Sequence, residues 1–432
     1  MTQLLQHGDI LVEAAGGYTC LRDGYLGIDG DTIDYLGTEP PQKAYDTVKD
    51  MTHRLIAPGL VNAHTHTGMT LLRGLGSDLP LQQWLFDTIF PVEDRMGPED
   101  MFVGTELAML EMLACGTTSF SDMYMAPGHT AKAILQSGMK ANICRPLQSF
   151  DEGEDPYKSA RMQEMLALYD QWHLAGNGRI RADFSIHAEY TCTPAMVRAA
   201  ALEAQRRGTG LHIHLSETAK EQAQGRERRG VTPARWFADL GAFEGRCYAA
   251  HCVHLTEADR DLLLEKGVFP VHCPESNLKL GSGVAPVVDM NRRGLQVALG
   301  TDGAASNNNL NMIEELHLTG ILHKGTLLEP TALSPAEALA MATRNGALAQ
   351  GRTDTGSLMV GRKADLFALN MDAPHLTPSP DPLAALLYSA QASDVCLTMA
   401  DGRILYENGS YLTLDKDRIL YDAQKAVERL VG

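Results

Sequence analysis

The sequence predicts an α/β protein: a (β/α)8 barrel carrying a small β-sandwich domain built from both chain ends. Three observations point there. Between about residues 58 and 350, short apolar runs alternate with amphipathic helical stretches, the rhythm of a parallel barrel. Before and after that region, apolar runs are joined by Gly-Asp and Asp-Gly pairs, which are hairpin signals. The length of 432 residues exceeds one ordinary domain but suits a barrel plus a smaller unit.

Residues 1 to 57 carry short β-like pieces, Asp9–Glu13, Gly24–Asp31 and Thr32–Gly37. A hairpin is marginal alone in water, so these pieces need a partner sheet. The barrel strands are read at Leu60–His66, Thr117–Met123, Ala141–Leu147, Ala182–His187, Gly210–Leu215, Cys247–His251, Val268–His272 and Gln296–Thr301. Helical stretches such as Pro98–Ala114 and Ser159–His173 separate them. From Gly356 the β pattern returns, with Asp401-Gly402 turning between two apolar runs, and the tail from Asp415 reads as a helix. Residues 1–57 and 359–432 are therefore expected to pair into one composite β-sandwich domain, beside a catalytic barrel over 58–358.

Composition narrows the partners. The net charge of −17 disfavours nucleic acid and anionic membrane, both of which repel an acidic surface. Apolar residues make up 44% of the chain, enough for a sizeable core. The eight cysteines show no CxxC pair, which suggests reduced thiols and a cytoplasmic location. The N-terminal residues lack a basic and apolar signal pattern, and no apolar run is long enough to span a membrane.

In such a barrel, active sites lie at the C-terminal ends of the strands. The polar residues there are His64 and His66 on the first strand, then His187, then His214 followed by Glu217, then His251, His272 and Asp302. Side chains two apart on a strand share a face, so His64 and His66 leave together toward one ligand. Taken singly, each has an ordinary reading. His187 and His272 can be satisfied polar residues, Glu217 can neighbour a helix cap, and Asp302 can cap the next helix. Met69, Trp84 and Met123 can be core. Six chemistry-bearing ends among eight strands shift the balance toward a site.

The runs His-Thr-His66, His214-Leu-Ser-Glu217, Ala-His251-Cys-Val-His and Gly-Thr-Asp302-Gly-Ala-Ala-Ser306 resemble the amidohydrolase superfamily. Within it, essentially the whole chain is similar to the methylthioadenosine/S-adenosylhomocysteine deaminases. The resemblance implies a TIM-like barrel and one divalent metal, usually Zn2+, held by His64, His66, His214 and Asp302. Neutral imidazoles and a carboxylate suit zinc, and three or four protein ligands leave room for water, whose pKa then falls from 15.7 to about 7. Relatives with two metals carry a carboxylated lysine at the end of strand 4. That position here is His187, so one metal is expected. Glu217 is the natural general acid/base, protonating a ring nitrogen and then the leaving ammonia. His251 would orient the nucleophile and stabilise the developing alkoxide, and Asp302 would take its proton. His187-Ala-Glu189 matches half of the cytidine-deaminase signature, but no P-C-x-x-C follows, which excludes that fold.

For the substrate, the resemblance implies that Trp84 stacks near the base and that Glu93 accepts from both ribose hydroxyls. From the residues alone, Glu93 is an ordinary loop carboxylate. His187 and Ser306 match nucleoside-contacting positions, while Arg145 and Arg161 match arginines that reach a homocysteine carboxylate. The loop Gln148–Lys158 differs in length from the family pattern just before Arg161. The implied partners are a small-molecule nucleoside and, as a homo-oligomer, further copies of the chain. Alternatives are a sibling enzyme acting on guanine, a pterin, 5′-deoxyadenosine or a chlorotriazine, and an inactive scaffold.

Overall fold

The structure is a computed structural model describing residues 1–15, 17–76, 78–79 and 83–432. The chain opens with β1 (Thr2–Ala14) and β2 (Gly17–Asp29), antiparallel, followed by β3 (Thr32–Gly37), β4 (Thr47–Asp50) and β5 (Arg54–Pro58). The first two strands are longer than the short pieces predicted. Their ladder slips twice, on either side of Gly8, with His7 and Asp23 in left-handed backbone. Such bulges break the period-2 alternation while the pairing continues, so the sequence pattern stops before the strand does.

The parallel part follows. β6 (Leu60–Thr65), β7 (Thr117–Met123), β8 (Lys140–Cys144) and β9 (Ile180–Ala182) form one parallel sheet. β10 (Phe184–Ile186), β11 (Leu211–Leu215), β12 (Cys247–His251), β13 (Phe269–His272) and β14 (Ala298–Leu299) form a second. The single strand predicted at Ala182–His187 is broken at Asp183. Its amide bonds Ile143, while its carboxylate accepts from Gly210 N–H (2.7 Å), Tyr248 Oη (2.9 Å) and Arg246 Nη2 (2.8 Å). The predicted last strand shrinks to two residues because its end leaves for other partners. Gly300 N–H donates to His272 and Asp302 N–H to His64. A bridge between Leu147 and Ile186 and the bond from Asp302 to His64 join the two parallel sheets at both seams.

β15 (Leu366–Asn370) returns antiparallel to β5, followed by β16 (Val395–Ala400), β17 (Arg403–Glu407) and β18 (Ser410–Tyr411). Both chain ends thus share one nine-stranded sheet, in the order β18-β17-β16-β15-β5-β1-β2-β3 with β4 on β1. The helix Pro98–Ala114 has the bounds predicted for it. The helix predicted at Ser159–His173 spans Ala160–Trp172, since both end residues are extended caps. The tail helix, Lys416–Val431, is capped by the Asp415 side chain on Arg418 N–H. Its Ala423, Ala426 and Leu430 enter the apolar cluster containing Met69, Trp84 and Met101, so the last helix buttresses the loop after β6. Burial of Leu430 alone is worth about 1.5–3 kcal/mol. Among the described residues, no helix is long and apolar enough to cross a membrane.

Candidate active site

The C-terminal ends of β6, β11, β12 and β14 converge on one buried cluster. His66 and His214 face each other through their Nε2 atoms at 3.3 Å. On the far side of each ring, Nδ1 lies 2.7 Å from the Met123 carbonyl for His66 and 2.8 Å from the His187 carbonyl for His214. A carbonyl only accepts, so each Nδ1 carries a proton and Nε2 is the nitrogen that faces the centre, as a lone pair in the neutral ring. His64 Nδ1 instead meets His212 Nε2 at 2.9 Å. His64 Nε2 is buried without a hydrogen bond and faces Asp302 Oδ1 at 3.4 Å.

Asp302 Oδ1 also lies 3.2 Å from His66 Nε2. Its other oxygen accepts from Ser276 Oγ (2.6 Å) and Ser306 Oγ (2.8 Å). Asp302 therefore aims inward and does not cap a helix. The motif around it has a steric reason. A Cβ on Gly300 would sit 2.8 Å from the His64 backbone nitrogen, and one on Gly303 would sit 2.7 Å from Met69 Sδ. At Gly300 only glycine lets the end of β14 close on the β6 backbone, while at Gly303 a side chain would displace Met69. Asp302 and His251 both hold left-handed backbone, with φ 62° and 74°, a strain that persists where the surroundings over-determine it.

His251 donates from Nδ1 to Asn277 Oδ1 at 2.9 Å and turns Nε2 toward Glu217 Oε2 at 3.9 Å. Glu217 receives a weak contact from Ser282 Oγ (3.4 Å). The helix after it is capped by Thr218. Glu221 accepts the backbone N–H groups of Ser216 and Glu217, both at 2.8 Å, and so braces the Glu217 turn.

The electrostatics follow from burial. It pulls His64 down to about 4 and His214 well below the ordinary imidazole value. It lifts the Glu217 carboxyl above the usual range, with His251 pulling the other way. Burial would also lift Asp302, but its contacts with His64 and His66 outweigh that and hold it well below the carboxylate range.

The cluster floors a cavity of about 350 Å³. The structure brings His66, His214, Glu217, His251, Asp302, Trp84, Glu93, Arg145, Arg161, His187 and Ser306 to its lining; His64 lies behind His66, fully buried. Trp84 sits in a π-helical turn, its indole N–H on the Leu75 carbonyl at 3.1 Å. Glu93 accepts a short hydrogen bond from the Tyr124 hydroxyl. Arg145 Nε pairs with Glu164 at 2.7 Å, whereas Arg161 Nε is buried without a partner. His187 Nδ1 shares a hydrogen bond with Thr191 Oγ1 (3.0 Å), and burial first, then His66 and Arg161, hold it down to about 3. Ser306 reaches the cavity wall with its hydroxyl already committed to Asp302. His272 does not join them: its ring packs on His323 at 5.2 Å.

The donor atoms of His64, His66 and His214 lie within 4.8 Å of one another, as do those of His64, His251 and Asp302. Convergent lone pairs, an orphaned Nε2 and an ionised carboxylate fit a divalent metal ion. Sequence reasoning passed over Ser276, Asn277, Tyr124 and Glu221. The first two follow the end of β13 in Cys273-Pro-Glu-Ser-Asn277, so the strand-end rule, extended by a few residues, finds them.

The pattern of the amidohydrolase family matches residues 55–405, and the chain belongs to that family. It is 42% identical over 435 residues to the 5-methylthioadenosine/S-adenosylhomocysteine deaminase of Acetivibrio thermocellus, covering 98% of this chain and 100% of that protein. An adenosine deaminase from Xanthomonas campestris, solved with bound zinc, superposes with a TM-score of 0.93 at 33% identity, covering 99% of this chain and 98% of that one. The atrazine chlorohydrolase of Arthrobacter aurescens shares the fold, with a TM-score of 0.92 at 24% identity over 98% of this chain and 100% of its own. Such neighbours imply a TIM-like barrel for the parallel sheets.

Proposed function

We propose that this protein hydrolytically deaminates the adenine ring of 5′-modified adenosines, 5′-methylthioadenosine and S-adenosylhomocysteine above all, to the inosine analogues and ammonia. The observation that carries the reading is the layout of one cavity: a His/His/His/Asp cluster beside Glu217 on its floor, Glu93 on its wall, and Arg145 with Arg161 in the same lining. A ribose diol suits Glu93 and an amino-acid carboxylate suits a guanidinium. Guanine and chlorotriazines have no diol to offer. The names of two relatives, a 5-methylthioadenosine/S-adenosylhomocysteine deaminase and an adenosine deaminase, support substrates of this nucleoside class.

One zinc ion per subunit is the expected metal, held by His64, His66, His214 and Asp302. When bound, it supplies Lewis acidity and lowers the pKa of water to about 7. A single ion suits a cavity whose described lining contains no lysine. Glu217 gives its proton to the ring nitrogen beside the amine-bearing carbon, which makes that carbon electrophilic. As water adds, one of its protons passes to Asp302, and His251, which burial would discharge but which Glu217 and Asp302 hold above the ordinary imidazole value, turns an Nε2–H toward the negative charge growing on oxygen. The second water proton restores Glu217, which passes it to the amine; the C–N bond breaks, ammonia leaves, and the Asp302 proton returns to Glu217. Burial, which lifts Glu217, suits a group that must both give and take a proton near neutral pH.

The same reading treats the two parallel sheets as arcs of one closed eight-stranded barrel over 58–358, supported by the seam bonds Leu147–Ile186 and Asp302–His64. It treats residues 1–57 and 359–432 as a separate composite β-sandwich domain, supported by their shared sheet. All eight cysteines are free thiols, which supports a reducing, cytoplasmic setting. The test is direct. Purified protein is incubated with methylthioadenosine, S-adenosylhomocysteine, adenosine, guanine and a chlorotriazine, and the ultraviolet shift to the hydroxylated product is followed alongside elemental analysis. Turnover confined to guanine or the triazine, or two metals per active chain, would overturn the reading.

A further inference from the structure

Among the described buried histidines that the metal reading leaves unused, His212 alone touches a proposed ligand ring from behind. His212 lies on β11 two residues before His214, on the same face and one layer deeper. It is fully buried, its ring packed against Tyr248 with centroids 4.1 Å apart and the planes tilted by 30°. Tyr248 is fixed in turn by its hydroxyl on Asp183. His212 Nε2 lies 2.9 Å from His64 Nδ1, and its own Nδ1 lies 3.9 Å from Cys144 Sγ.

We propose that His212 is a positioning residue that accepts the Nδ1 proton of His64 and thereby commits His64 to present Nε2 to the metal. The inference rests on the metal assignment above. His66 and His214 are set by backbone carbonyls, which can only accept. His64 faces a second imidazole, and one proton between two nitrogens has two placements. With the proton on His64 Nδ1, Nε2 keeps its lone pair toward the cluster. With the proton on His212 Nε2, His64 Nε2 carries hydrogen and cannot ligate.

The surroundings decide between them. The Cys144 sulfur lies closer to the Asp122 carbonyl (3.4 Å) than to His212 Nδ1 (3.9 Å), which favours its S–H on the carbonyl and its lone pairs toward His212 Nδ1–H. The chain His64 Nδ1–H to His212 Nε2, His212 Nδ1–H to Cys144 Sγ, and Cys144 S–H to Asp122 O satisfies every member in one direction. The reverse tautomer leaves His212 Nδ1 a lone pair facing a sulfur whose proton is already committed. The Tyr248 contact holds the ring that aims both nitrogens.

The test compares H212Q, whose Oε1 supplies an acceptor near the Nε2 position, with H212L, which keeps bulk and removes the acceptor. Zinc affinity is read by competition with a chromogenic chelator, and ligand geometry by the visible spectrum of the cobalt(II)-loaded protein. H212L should lose about 10–100-fold in affinity, the usual cost of removing a partner behind a metal-bound histidine. It should also show a broadened cobalt spectrum, while H212Q recovers most of the affinity. Melting of the metal-free proteins separates packing loss from this effect. Should H212L fail to fold, zinc-loaded wild-type protein labelled with 15N-histidine still answers, because His64 and His212 must both show protonated Nδ1. A protonated His212 Nε2, an unchanged affinity in H212L, or an H212Q as weak as H212L would overturn the inference alone. Wild-type protein that takes up no zinc would overturn the metal assignment and this inference with it.

Discussion

Arg161 is the sharpest test of the substrate's tail. Two guanidiniums reach the cavity, but they are not equivalent. Arg145 is already paired with Glu164 at 2.7 Å. Arg161 has a buried Nε without a hydrogen-bond partner, and burial first, then Arg145, holds its pKa below the ordinary arginine value. A cation in that position gains most from an incoming carboxylate, which it can grip with two parallel bonds. Hydrogen bonds to charged groups are worth about 1.5–3 kcal/mol, and each 1.4 kcal/mol is roughly tenfold in kcat/KM. R161M keeps the apolar stem and removes the charge, so S-adenosylhomocysteine should lose about 10–150-fold in kcat/KM. Methylthioadenosine has no carboxylate and should change little. R145M is a less clean probe, because it strands Glu164 beside the pocket as a repelling charge. The assay is the initial ultraviolet rate on both substrates with wild type and variant. Equal losses on both, or none on S-adenosylhomocysteine, would show that Arg161 serves the fold or the cavity rim rather than the tail.

Three further outcomes follow. E217Q should retain the metal and lose about 10²–10⁴-fold in kcat, as expected of a proton shuttle; loss of metal in elemental analysis, or activity near wild type, refutes the role. Glu93 keeps one oxygen on Tyr124 and has the other for the diol, so E93A should cost tenfold or more in kcat/KM on ribosides, from a charged hydrogen bond of about 1.5–3 kcal/mol, and far less on 2′,3′-dideoxy analogues. Equal losses place Glu93 in another task. For stability, Asp183 is fully buried, and burial alone would raise its carboxyl, but Arg246 and three hydrogen bonds, from Asn142, Gly210 and Tyr248, outweigh that and depress it. A depressed native pKa means its contribution is present above the unfolded value of about 3.9 and is lost as pH falls through the native one. D183N should therefore destabilise by about 3 kcal/mol at neutral pH, by breaking a buried pair. Its deficit should shrink as denaturant melts are moved toward acid, and a deficit constant with pH would refute the linkage.

The parts legible in the sequence are those in which one local rule acts alone. Period-2 alternation and the strand-end rule were enough to put His64, His66, His214, Glu217, His251 and Asp302 on one list, because each sits where its own strand stops. The same rule put His272 on that list, yet its ring turns to His323. Which face of a strand looks inward depends on register with its neighbours, and a strand of four residues carries too few apolar positions to fix that phase. Strand lengths failed where tertiary partners took over: Asp183 breaks a predicted strand because its carboxylate is claimed by residues up to 65 positions away. The supporting contacts were out of reach for the same reason. Asn277 behind His251 and Tyr124 on Glu93 are pairs 26 and 31 residues apart, joined only once the strands are in place. Asp302 shows how the two levels meet. Its carboxylate was readable as chemistry, while the glycines on either side looked like turn residues. In the folded chain an added carbon at Gly300 would meet the His64 backbone and push β14 off β6, and one at Gly303 would crowd Met69 and His66, beside the histidines that face the aspartate.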